Sequence, residues 1–102
     1  MVRTRQHDPS FAHLPGYDLV TEGLADLARG EMETIPALLV AIGSHRLREI
    51  GLNLPAALPD NPEHRLYERL AEGETDAAHG RYNALIARLV SFERAAEHAK
   101  SR

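Results

Sequence analysis

"TDAAHGRYNALIARLVSFERAAEH", residues 75–98, carries apolar side chains at Ala78, Tyr82, Leu85, Leu89, Phe92 and Ala96. The steps between them are 4, 3, 4, 3 and 4 residues, the rhythm of one face of an α-helix. Ile86 and Val90 widen that face beyond a strict coiled-coil seam, so it reads as a packing face within a bundle. With Thr75 or Asp76 as the cap, the spacing predicts a long helix over 75–98.

Upstream, the same rhythm recurs between punctuating residues. Asn61-Pro62 reads as an N-cap followed by a first-turn proline, with Leu66, Tyr67 and Leu70 facing inward until Gly73, which predicts a helix over 62–72. Thr34 reads as the N-cap of a second helix, with Pro36 in its first turn and Gly51 at its end. Its apolar face comes from Ile35, Leu38, Leu39, Ile42, Leu47 and Ile50, which predicts one helix over 35–50, kinked or split if Gly43-Ser44 interrupts it. Tyr17, Val20, Leu24 and Leu27 predict a first helix over 17–29, closed by Gly30 in the left-handed conformation, with Asp18, Glu22, Asp26 and Arg29 pointing away from the apolar face. The connector "LNLPAALPDNP" is too rich in proline to be helical throughout, yet apolar enough to lie against the bundle.

Residues 1–16 contain Pro9, Pro15 and Gly16 without periodicity and read as an irregular arm that Phe11 and Leu14 can dock onto the body. No segment alternates long enough to claim a strand. The expected fold is all-α: a small four-helix bundle in a single helical domain, 17–102, behind the arm.

The opening stretch also concentrates polar chemistry. On a helical wheel His79, Tyr82 and Asn83 share one edge of the apolar face, while Arg81 projects toward Arg88 instead. Glu93 projects within the apolar arc, near Tyr82 and Ile86, where a carboxylate is costly unless it is paired or hydrogen-bonded. A pocket of His79, Tyr82, Asn83 and Glu93 would set an imidazole beside a carboxylate perturbed by burial, a combination suited to binding a small molecule or moving a proton. The plainer expectation is that Glu93 meets an arginine or a tyrosine hydroxyl from another helix, or reaches water at the edge of the seam.

Other chemistries find little footing. The chain has no cysteine, so disulfides, thiolate nucleophiles and cysteine-ligated metals are excluded. "HDPSFAH" offers His7, Asp8 and His13 as conceivable ligands, but at no helical spacing, and no two of the six histidines are four residues apart as a helical zinc pair requires. No metal site and no cofactor is expected. No serine lies in G-x-S-x-G, and no glycine-rich phosphate loop is present.

With 12 Lys+Arg against 15 Asp+Glu, the formal charge of −3 argues against broad nucleic-acid binding. Residues 35–50, with a central Gly43 followed by His45, Arg46, Arg48 and Glu49 facing solvent, nonetheless suggest a helix-turn-helix-like regulator as one alternative. The N-terminus lacks the apolar run of a secretory signal, and no stretch approaches the roughly 18 apolar residues of a membrane span, so the cytoplasm is the expected location. The absence of a catalytic kit, a small core and a broad apolar face on the last helix point to a non-catalytic interaction or oligomerisation domain. Its expected partner is a second copy of itself or another protein, with nucleic acid and membrane disfavoured.

Overall fold

A computed structural model of the chain describes residues 11–100. Among them are five helices and no strand: α1 (Tyr17–Ala28), α2 (Ile35–Ile42), α3 (Ser44–Ile50), α4 (Pro62–Gly73) and α5 (Thr75–Lys100). Helix α2 packs against both α1 and α4, while α5 lies along α4 and also meets α3 and α2. The all-helical class expected from the periodicity is therefore observed, with a fifth helix where four were expected.

The difference lies at Gly43. Residues 35–50 do not form one helix; α2 ends and α3 begins on either side of this glycine. A Cβ built there would come within 2.5 Å of Glu93 Oε2 and 3.1 Å of a Leu89 methyl. The chain breaks where side chains of α5 reach it, and a Cβ there would force Glu93 and Leu89 to shift.

Local chemistry explains the other boundaries. Thr34 accepts a hydrogen bond from the Ala37 backbone N–H at 3.1 Å and so caps α2, whose second residue is Pro36. Asn61 occupies the cap position before Pro62 in a left-handed conformation (φ 48°), without a side-chain cap bond. Gly51 ends α3 at φ 112°, a backbone state that costs most residues about 1–2 kcal/mol.

Asp26 departs from expectation. Rather than pointing away, it is only 6% exposed. Its carboxylate pairs with Arg29 and accepts a hydrogen bond from the Thr34 hydroxyl at 2.7 Å. Thr34 therefore serves two purposes, capping α2 while fastening its start to the end of α1.

The core is built mainly from Val20, Leu24 and Leu27 of α1, Ala37–Ala41 of α2, Leu47 and Ile50 of α3, Leu66 and Leu70 of α4, and Leu89, Phe92 and Ala96 of α5. Each large member withdrawn from water contributes about 1.5–3 kcal/mol. Phe11 joins this core, its ring edge-on to Phe92 at 6.0 Å, and Leu14 packs beside it, so the end of the arm docks as expected. The proline-rich connector likewise lies on the body through buried Leu52 and half-buried Leu54 and Leu58.

Helices α1 and α2 cross at Gly23, where a Cβ would overlap the carbonyl oxygen of Pro36 and the Cγ2 of Val40. Gly80, by contrast, lies inside α5 with open space around the missing Cβ. Gly23→Ala is expected to lower stability by about 2–3 kcal/mol because rigid backbone must move. Gly80→Ala is expected to raise it by about 0.5–1 kcal/mol through helix propensity alone. Urea denaturation of the two variants checks both signs.

Candidate functional site

The most structured polar group lies where α3 meets α5. Arg46, in the first turn of α3, donates from Nε to Glu97 Oε2 at 3.0 Å and from Nη2 to Glu97 Oε1 at 2.6 Å. This two-pronged arrangement matches the planar guanidinium to the carboxylate and is stronger than a single contact. The remaining Nη1 lies 3.5 Å from Glu93 Oε1. One cation thus serves two carboxylates one turn apart on α5.

The two acids sit in different surroundings. Glu97 is half exposed, and its hydrogen bonds from Arg46 hold its carboxyl below the ordinary range, with the charges of Arg46 and Arg94 adding to that effect. Glu93 is 3% exposed. Burial pushes its carboxyl above the usual value, Arg46 pulls it back, and the negative charge of Glu97 pushes it up again. Arg46 in turn holds its proton more tightly, chiefly through the hydrogen bond to Glu97.

Glu93 forms part of a cleft of about 190 Å³ lined by Ile42, Gly43, Ile86, Leu89 and Val90, with His45 and Arg46 alongside. The break at Gly43 creates the space in which the carboxylate sits. A second hollow of about 280 Å³ is bordered by Glu49, Ile50, Glu97 and Lys100.

The four residues expected to form a pocket are distributed over three places. His79 and Asn83 stay together, with Asn83 Nδ2 3.2 Å from His79 Nε2, on the exposed surface of α5. Tyr82 turns the other way and packs on Tyr67 of α4, ring centroids 5.8 Å apart. Burial raises the Tyr82 hydroxyl pKa, and Glu63 adds to the rise. Glu93 lies ten residues beyond Asn83, roughly 15 Å along the helix at 1.5 Å per residue. Its neighbours are Gly43 and Arg46, not the polar group at the start of α5. The plainer expectation for Glu93, a partner arginine from another helix, is what the structure contains.

The local pattern points Arg46 to solvent with His45, Arg48 and Glu49, whereas the structure pairs it with Glu97. A signal was present: Glu93 and Glu97 are like charges four residues apart, which repel on a helix unless another element supplies a cation. Nothing in the spacing indicates that the cation stands 51 positions upstream of Glu97. Arg48 is also engaged, donating to the Pro55 carbonyl at 2.9 Å.

His7 and Asp8, named among conceivable metal ligands, lie outside the described residues, and His13 is exposed. Among the described residues no group of three or more His, Asp or Glu converges as metal ligands do. None of their helices is long and apolar enough to cross a membrane. No family model, curated protein or solved structure matches this chain.

The raised carboxyl of Glu93 has a definite thermodynamic sign. A group that binds its proton more tightly when folded favours the fold at low pH and penalises it as pH rises through the folded value. Glu93→Gln removes this penalty while keeping shape. The Glu93→Gln protein is expected to melt higher than the parent at pH 7, with the gap narrowing as pH falls toward the ordinary carboxyl value of 4.5. Thermal melts of both proteins across that interval read the difference, which cancels the contribution of the other acids.

Proposed function

We propose that the chain is a non-catalytic helical association domain, pairing with a second copy of itself or with another protein. One observation carries this reading. Between Ala78 and Leu89 no residue of α5 is buried, although the apolar face places Tyr82, Leu85 and Ile86 there. The body covers both ends of the helix and leaves its middle turns half covered.

The neighbouring α4 extends the same surface. Tyr67, the one exposed large hydrophobic residue among those described, is 38% exposed and stacks at a tilt on Tyr82. A tyrosine pair with aliphatic neighbours is a fitting anchor, because aromatic rings bring large contact area for little loss of rotamer freedom. The charged groups elsewhere on α3 and α5 are largely engaged within the chain, Arg46 with Glu97 and Arg88 with Asp18.

The geometry favours neither alternative equally well. A pocket of His79, Tyr82, Asn83 and Glu93 would have to bridge roughly 15 Å of helix between Asn83 and Glu93. A helix-turn-helix needs a turn of about three or four residues, whereas α2 and α3 are separated by Gly43 alone.

Sedimentation equilibrium tests the reading. The chain is expected to form a dimer or to retain a partner protein on an affinity column. Tyr67→Glu is expected to weaken that association by about 2 kcal/mol, roughly thirtyfold in Kd, by placing a charge in the contact, with helicity unchanged. A chain that stays monomeric at millimolar concentration and retains no partner contradicts it.

A further inference from the structure

The exposed side of α5 carries two charges that no described residue answers. Asp76, in the first turn, and Arg94, near the other end, both face solvent. Neither side chain enters a hydrogen bond or ion pair with another described residue. Arg94 reaches Glu97 through its charge alone. Neighbouring cations behave otherwise: Arg46 is held by Glu97, Arg48 by the Pro55 carbonyl and Arg88 by Asp18.

Their spacing gives the two charges a common line. Asp76 and Arg94 are 18 residues apart, which at 3.6 residues per turn is five full turns, or about 27 Å along the helix. Asn83, Ile86 and Val90 lie between them on the same side, the two aliphatic residues only half-buried. An acid at one end of a line and a base at the other complement the same line reversed. In a two-fold pair each contact between residues i and j recurs as one between j and i. A second copy of α5 laid antiparallel therefore answers both charges at once, whereas a parallel copy sets acid on acid and base on base.

We propose that the partner is a second copy of this chain, its α5 lying antiparallel on this one, with Asp76 against the partner's Arg94 and Arg94 against the partner's Asp76. The two-fold axis then passes beside residue 85, midway between the charges, and the half-covered Ile86 and Val90 close against the partner helix. Tyr67 and Tyr82 stand at the edge of that contact. The inference rests on the association reading and deepens it, by naming both the partner and the register.

Sedimentation equilibrium of the full chain at low ionic strength, where surface charges are least screened, reads the register. Asp76→Arg and Arg94→Asp are each expected to weaken self-association about tenfold, because two attractive contacts per dimer become repulsive. Mixed in equal amounts, the two variants are expected to associate with roughly the parent's Kd, since each chain then supplies the charge that the other lacks. The double variant, with both charges exchanged on one chain, is expected to do the same alone. A parent dimer whose Kd ignores both substitutions, or a mixture that binds no tighter than its components, overturns the antiparallel register and leaves the association reading standing. So does a monomeric parent that still retains another protein. A parent that neither dimerises nor retains a partner overturns both.

Discussion

One guanidinium ties α3 to α5 beside the buried packing of Leu47 and Ile50. Arg46 grips Glu97 with two hydrogen bonds and stands beside the buried Glu93, so two acids one turn apart can coexist on the same helix. Without that cation, Glu93 would be an uncompensated charge in an apolar setting, a change that usually costs about 3–5 kcal/mol. The geometry then dictates the rest of the junction. The carboxylate needs room, Gly43 supplies it by lacking a side chain, and the helix that would otherwise run through residues 35–50 divides there.

Much of the fold was legible because helix signals are local. The apolar rhythm of Ala78, Leu89, Phe92 and Ala96, the cap at Thr34 and the proline at the start of α4 all act within a few residues of themselves, and these elements lie where they were expected. The docking of Phe11, Leu52 and Leu58 follows from the cost of leaving such side chains in water. Gly43 was legible only as a weak point. Whether a glycine kinks a helix or ends it depends on what presses against it, and here that is a carboxylate from a helix about fifty residues away in the sequence.

The polar residues were harder to place for the same reason. Asp26 lies beside an apolar face and was read as solvent-facing, yet Thr34 returns from the next helix to bond it. Among the candidate site residues, His79 and Asn83 remained neighbours because a spacing of four on one helix is sufficient to bring them together. Glu93 projects near Tyr82 on the wheel, within the apolar arc, but a wheel discards distance along the axis. The partner it found, Arg46, was invisible to any pattern confined to α5. Long-range pairing is the information that a single sequence holds least clearly.

These constraints also shape the functional reading. The body buries both ends of α5 and leaves Tyr82, Leu85 and Ile86 half covered beside Tyr67, a surface suited to another helix. The junction at Arg46 fixes one end of α5 while that surface stays open.

The most direct test is a double-mutant cycle on Arg46→Met and Glu93→Gln, measured by urea denaturation at pH 7. If Arg46 exists to compensate the buried acid, removing it should cost much less once Glu93 is neutral, giving a coupling of about 1–3 kcal/mol. Effects that add to within about 0.5 kcal/mol would show that the two residues act separately and would contradict the account.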